Sequence, residues 1–168
     1  MDQSIVLVGL MGVGKTTVGR RLAKQLGLGF VDADEEIEQA AGLTVEEIFD
    51  RFGEDYFRDG ERRVIARLIE GKRQVIATGG GAFMNEETRA LILQKAVAIW
   101  LDANIDTLVK RVSRRNTRPL LKSGDPATIL ADLAAKRNPV YATAHIHIMG
   151  NDSPHEITVD KIIKALQR

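Results

Sequence analysis

The sequence predicts an α/β fold with a mostly parallel sheet, and three observations carry that prediction. Short β-type runs alternate with longer helical patterns along the chain. Several of those runs are apolar without alternation, as strands covered by helices on both faces must be. The first of them, Ile5-Val6-Leu7-Val8, ends directly at Gly9, where Gly-Leu-Met-Gly-Val-Gly-Lys-Thr begins. Residues 9–16 therefore match G-x-x-x-x-G-K-[ST] at every fixed position, between a strand and a helix, where a phosphate-binding loop belongs.

The elements follow in order. A strand is expected over Ser4–Gly9, then a helix over Thr17–Leu26 with Val18, Leu22 and Leu26 on its apolar face. Gly29–Asp32 reads as the second strand. Residues 33–61 insert charged helices rich in Asp, Glu and aromatics, one opened by the capping box Thr44-Val45-Glu46-Glu47. Gln74–Thr78 and Ala96–Leu101 read as the third and fourth strands. Residues 111–124 form a basic segment punctuated by Pro119 and Gly124. Asp125-Pro126 opens a helix with proline at its first position. His145–Met149 is the fifth strand, and Ser153-Pro154-His155-Glu156 reads as a second capping box with proline at the first helical position.

Composition narrows the class. A chain of 168 residues is most simply one domain, 1–168, with enough length to bury a real core. The 24 basic and 23 acidic residues leave a net charge of +1, which gives no general attraction to nucleic acid or to an anionic membrane. The absence of cysteine excludes disulfides, thiol catalysis and thiolate metal sites. Met1-Asp2-Gln3-Ser4 lacks a basic leader and the apolar run after it is the first strand, so neither signal peptide nor membrane span is expected, and a cytoplasmic protein is.

The chemistry concentrates in a few places. Glycines of the loop let backbone N–H groups turn around an anion, and the following helix adds its positive end. Lys15 would reach β- and γ-phosphates, and the Thr16 hydroxyl would bind Mg²⁺. Asp32-Ala33-Asp34 ends the second strand, at the edge where open parallel sheets bind ligands. If the chain stays extended the two carboxylates share a side. If Asp34 already begins a helix they diverge, one toward Mg²⁺ and one toward a substrate hydroxyl. The alternative makes Asp34 a helix N-cap and Asp32 a solvated loop residue.

Gly79-Gly80-Gly81 follows the third strand and would expose backbone N–H groups to a closely approaching ligand, or form a plain flexible turn. No aspartate of a second nucleotide motif stands there, so Asp32 is the candidate carboxylate for Mg²⁺. Arg58, Arg118 and Arg137 could each grip one anionic group, whereas Arg114 and Arg115 read as surface residues. His145, His147 and His155 would need further converging ligands to hold a metal. Trp100 and the few other aromatics make no stacking platform for nucleic acid.

Taken together, these pieces resemble the shikimate kinase family. The resemblance rests on Gly9–Thr16, Asp32-Ala33-Asp34, Phe57-Arg58 with Glu61, Gly79-Gly80-Gly81-Ala82, Asn116-Thr117-Arg118-Pro119-Leu120-Leu121 and Arg137-Asn138-Pro139-Val140-Tyr141. It implies a three-layer P-loop kinase fold like that of the nucleoside monophosphate kinases: a five-stranded parallel sheet with helices on both faces, a substrate-binding insertion at 33–61 and a lid at 111–124. It implies transfer of the γ-phosphoryl of ATP to the 3-hydroxyl of shikimate, on the route to chorismate and aromatic amino acids, by a monomer. By position, Gly12, Val13, Gly14, Lys15, Thr16 and Thr17 would hold ATP phosphates, and Arg111 and Pro154 would flank adenine. Thr16 and Asp32 would serve Mg²⁺. Asp34, Arg58, Gly80 and Arg137 would hold shikimate, with both arginines on its carboxylate. Lys15, Asp34 and Arg118 would be catalytic, Arg118 closing over the transferring phosphoryl. Ala33 stands where the family often has threonine, and Thr16 where serine is common.

Two other readings compete. A kinase of the same fold for gluconate or a nucleoside monophosphate would share Lys15 and the lid and differ at the acceptor residues. A nucleotide-dependent switch would use Asp50-Arg51-Phe52-Gly53 as its Asp-x-x-Gly, but that run lies in a helical insertion and no Asn-Lys-x-Asp motif accompanies it.

Overall fold

The computed structural model describes residues 2–113, 125–150 and 154–168. Five parallel strands, β1 (Ile5–Val8), β2 (Gly29–Asp32), β3 (Gln74–Ala77), β4 (Val97–Asp102) and β5 (Ile146–Met149), form one sheet in the order β2-β3-β1-β4-β5. β1 is central: Ile5 faces Val75 on one side and Val97 on the other. All four of its residues are buried, which is why its sequence is a continuous apolar run.

β1, β4 and β5 each begin one residue later than the sequence suggests, and for β1 and β5 side chains explain why. The Ser4 hydroxyl accepts the Gln74 N–H at 3.1 Å, replacing a ladder bond. His145 Nδ1 accepts the Ala98 N–H at 2.9 Å and does the same at the start of β5. At the other end Gly9, with φ 146, turns the chain out of β1.

Helices cover both faces. α1 (Lys15–Leu26) and α7 (His155–Leu166) pack together on one, and α3 (Val45–Glu70) and α4 (Glu86–Lys95) on the other. α1 buries Val18, Leu22 and Ala23 against the sheet. α2 (Ala33–Ala41) packs on α3, whose N-terminus carries both hydrogen bonds of the Thr44–Glu47 capping box. α3 bends at Gly53 (φ 85) and then passes residue 61 without interruption to Glu70. α5 (Ile105–Ser113) and α6 (Pro126–Tyr141) complete the set, α6 with Asp125 as N-cap and Pro126 in its first turn, as expected.

One cap differs. Pro154 has φ −55 and ψ 147 and is the N-cap of α7, so the helix begins at His155 and not at the proline. Ser153 lies outside the described residues, as do residues 114–124 and with them Arg118. No helix among the described residues is long and apolar enough to cross a membrane.

Because every strand is parallel, the ends of β1, β2 and β3 deliver Gly9, Asp32 and the glycine run 79–81 to one edge of the sheet. Connections leave β1 toward β2 on one side and reach β4 on the other, which opens a crevice at that edge.

Candidate active site

The loop after β1 is held open by Gly12 (φ 88) and Gly14 (φ 95), both left-handed and both costly for any residue with a Cβ. Lys15 opens α1, and its ammonium donates to the carbonyls of Gly9 and, at 3.3 Å, Leu10, so it lies folded over the loop. Arg111 on α5 donates through Nη1 to the Gly12 carbonyl at 3.1 Å and the Val13 carbonyl at 3.0 Å. Both carbonyls are thereby held by one guanidinium, which ties α5 to the phosphate loop.

Asp32 and Asp34 diverge, because α2 begins immediately after β2. Asp32 is the cap: its Oδ1 accepts the N–H of Asp34 at 2.9 Å and of Glu35 at 3.3 Å. Its Oδ2 accepts the Thr16 hydroxyl at 3.3 Å, tying the end of β2 to the phosphate loop. Asp34, in the first turn of α2, lies instead over Gly79. A Cβ on Gly79 would stand 2.8 Å from Asp34 Oδ1.

The three glycines are a platform, and each lies against one charged side chain. Gly79 lies under Asp34. A Cβ on Gly80 would meet Arg137 Nη1 at 3.1 Å, and one on Gly81 would run into the Arg58 guanidinium. The side chains come from α2, α6 and α3, so only the folded chain assembles them. The platform is pinned from below by Tyr141, fully buried, whose hydroxyl donates to the Gly80 carbonyl. Burial pushes the Tyr141 phenol up to about 12, against the opposing pull of Arg137 and Arg58, so it stays a donor.

Arg58 is fixed by Glu61, one helical turn on: Nη1 donates to Oε1 at 2.8 Å, and Nε stands 3.6 Å from Glu54 Oε1. Its guanidinium lies 5.2 Å from the Phe57 ring centroid and 6.0 Å from that of Phe49. Glu61 is 1% exposed, and burial lifts its carboxyl to about 7 despite the lowering effect of Arg58. Arg137 Nη1 and Asn138 Oδ1 are buried atoms with no hydrogen-bond partner among the described residues. A guanidinium N–H left in that state is costly unless a ligand accepts it.

Two cavities meet at the platform. One, of about 320 Å³, is lined by Gly14, Lys15, Thr16, Asp32, Asp34 and Gly79 among others. The other, of about 620 Å³, is lined by Arg58, Gly81 and Arg137 with Met84 and Asn85. Chemically, the first offers backbone amides, an ammonium and a hydroxyl–carboxylate pair, the donor set of a polyphosphate with a hard cation. The second offers two guanidinium groups to a small anion, with Asp34 at the boundary.

Of the residues read from sequence, Gly12 to Thr17, Asp32, Asp34, Arg58, Gly80, Arg111 and Arg137 converge on these two cavities or their walls. Pro154 is adjacent, as the cap of α7. His145 and His147 lie apart: His147 stacks on Trp100 with centroids 4.0 Å apart and pairs with Asp102 at 2.9 Å. Sequence reasoning gave no role to Glu61, Tyr141 or His155. Glu61 sits three residues from Arg58, on the same helical face, which was the available signal. Tyr141 enters the sequence reading only as the end of the run Arg137–Tyr141, and His155 only as a metal-ligand candidate, so neither position points to the role its packing gives it.

The platform makes a direct prediction. Gly81→Ala forces the Arg58 guanidinium aside and is expected to raise the KM of the anionic acceptor roughly tenfold or more, the worth of one charged hydrogen bond. The KM for nucleotide should hardly move. Steady-state kinetics in each substrate check this, and an equal rise in both KM values would contradict it.

Comparison with known proteins adds the family. A family model described as shikimate kinase matches residues 11–167. A shikimate kinase of Novosphingobium aromaticivorans is 56% identical over 172 residues, spanning 100% of this chain and 89% of that protein. One of Zymomonas mobilis is 56% identical over 166 residues, 99% of this chain and 94% of its own length. Among solved structures, a shikimate kinase from Acinetobacter baumannii in complex with shikimate superposes with a TM-score of 0.93 at 38% identity, covering 99% of this chain and 94% of the other.

Proposed function

The chain belongs to the shikimate kinase family, and from that premise we propose a role for each residue of the two cavities. The activity is transfer of the γ-phosphoryl of ATP to the 3-hydroxyl of shikimate, giving shikimate 3-phosphate and ADP, a step toward chorismate and the aromatic amino acids. The single observation that carries the residue assignment is the platform 79–81, which presents Asp34, Arg137 and Arg58 side by side between the two cavities.

In this reading the loop amides of residues 12–17 and Lys15 hold the ATP phosphates, with Arg111 and Pro154 beside the adenine. Thr16 and Asp32, already within hydrogen-bond distance of each other, suit Mg²⁺ as a hydroxyl and carboxylate pair of hard oxygen donors. When bound there, Mg²⁺ supplies positive charge to the β- and γ-phosphate oxygens. Arg58 and Arg137 take the shikimate carboxylate in charge-assisted hydrogen bonds, and half-buried Gly80 lets Arg137 lie close against the backbone there. The unpartnered Arg137 Nη1 supports this, since a carboxylate oxygen would satisfy it.

Asp34 stands at the meeting point of donor and acceptor. It orients the acceptor hydroxyl and accepts its proton as the phosphoryl arrives. Lys15 offsets negative charge on the transferring group, since phosphoryl transfer needs positioning and electrostatics more than covalent chemistry. Arg118 would join Lys15 there from the lid, residues 111–124. The segment 33–61 serves as the acceptor-binding part of a single domain, working as a cytoplasmic monomer.

The test is ADP release from MgATP with shikimate, gluconate and AMP as parallel acceptors. Strong stimulation by shikimate alone is expected. Stimulation by gluconate or AMP instead would keep the phosphate loop and overturn the acceptor assignment.

A further inference from the structure

One titratable side chain reaches the nucleotide cavity from the far end of the chain. His155 opens α7 and lines the same cavity as Gly14, Lys15 and Thr16. Its ring lies against the phosphate loop: a Cβ on Gly14 would meet His155 Cε1 at 3.1 Å and Nδ1 at 3.5 Å, with Arg111 Nη1 at 3.8 Å. The imidazole and the Arg111 guanidinium thus flank one face of Gly14. The first turn of α7 is anchored in that place by an ion pair from Arg21 on α1 to Glu156, 2.7 Å long.

We propose that His155 is a nucleotide-positioning residue whose imidazole takes up a proton when polyphosphate fills the loop, coupling nucleotide affinity to pH. The inference rests on the nucleotide reading of the cavity and extends it to a residue with no assigned role.

The physical reason is the change of field at one atom group. The charges facing His155 are Arg111 from α5, Arg21 from α1 and Glu156 from its own helix, while Lys15, Asp32 and Asp34 share the cavity. Burial, then Arg111 and Arg21, lower its pKa from the usual 6.5, with Glu156 opposing. The positive end of α7 acts in the same sense. The empty site therefore holds a neutral ring near neutral pH. A di- or triphosphate brings several negative charges to the same loop and outweighs the two guanidinium groups, favouring the imidazolium. The proton comes from solvent, and the protonated ring then faces the phosphates as one more cationic donor. By linkage, the free pKa is below the bound one, so nucleotide binds more tightly as pH falls through the interval between them.

The experiment uses MgADP and the full chain. The three histidines make the imidazole Cε1 proton signals few enough to follow by NMR. His155 is expected to titrate below 6.5 in the free protein and at least one unit higher with saturating MgADP. Calorimetry near pH 6 in buffers of different ionisation enthalpy should then show a fraction of a proton taken up on MgADP binding, absent in His155→Gln. That variant should bind MgADP roughly three- to tenfold more weakly at pH 6 than the parent chain, one pKa unit being a factor of ten. A His155 titration indifferent to MgADP, or equal proton uptake in both proteins, overturns the proposal while normal binding heat preserves the nucleotide site. No binding heat in the parent chain overturns both.

Discussion

Asp34→Asn is expected to lower turnover by about 10²–10⁴-fold, with the KM for MgATP changed by no more than about twofold. The substitution keeps the shape of the side chain and removes its ability to accept a proton. It also leaves the local fold intact, because the cap of α2 is Asp32 and not Asp34. Loss of one acidic residue from the first turn costs at most about 1 kcal/mol of helix stability. Gly79, on which the side chain rests, accommodates an amide in the same volume. The change therefore falls on the reacting hydroxyl. Steady-state kinetics with both substrates provide the check, and near-parental turnover would reduce Asp34 to an orienting contact. The same measurement separates Asp34 from Asp32: Asp32→Asn touches Thr16 and the cap of α2, so it should raise the KM for MgATP as well as lower turnover.

The phosphate loop is legible in sequence because its physics is local. Two left-handed glycines, the lysine that opens α1 and the neighbouring hydroxyl all fall within residues 9–16, directly after a run whose burial demands apolar residues. The strands are legible for the same reason. Their ends are less so, because Ser4 and His145 replace ladder bonds with partners 70 and 47 residues away. The capping boxes divide in the same way: Thr44–Glu47 is self-contained and forms as read, whereas Pro154 is drawn into the cap position. The acceptor site came from the family resemblance and not from spacing. Asp34, Arg58 and Arg137 belong to three helices, and nothing in their sequence separation shows that they rest on consecutive glycines. Three glycines in a row could equally make a plain turn. The folded chain supplies the reason for all three, since each would place a Cβ inside or against a functional side chain. Tyr141 and Glu61 escape local reading because their effect depends on burial, which belongs to the packed molecule.

Glu61 also makes stability depend on pH in a way that isolates one side chain. Its carboxyl lies at about 7 in the folded protein against 4.5 unperturbed, because burial outweighs the attraction of Arg58. Between those values the folded state binds more protons at this position than the unfolded state. Stability from this group is thus complete below pH 4.5 and is lost as pH rises through 7. A rise of that size corresponds to about 3 kcal/mol over the whole interval. Glu61→Gln removes the titration while keeping the shape and one acceptor oxygen for Arg58. Relative to the parent chain, the variant is expected to be more stable at pH 8 than at pH 5 by about 2.5 kcal/mol, every other carboxylate cancelling in the difference. Urea denaturation of both proteins at several pH values measures it. Parallel stability curves would show that the folded-state carboxyl titrates normally. Glu61→Ala should behave differently. Among the described residues it leaves Arg58, 20% exposed, with Glu54 at 3.6 Å as its ion-pair partner, and it opens a cavity where the buried side chain stood. A loss of about 3 kcal/mol is expected near pH 5, since breaking a buried pair costs more than neutralising it, and it should shrink as pH rises through 7 because this variant also lacks the titrating carboxyl. In that variant Arg58 is no longer aimed at the acceptor cavity, so the KM for shikimate should rise together with the loss of stability. In Glu61→Gln the two effects should separate, and that separation distinguishes an orienting carboxylate from one that merely fills space.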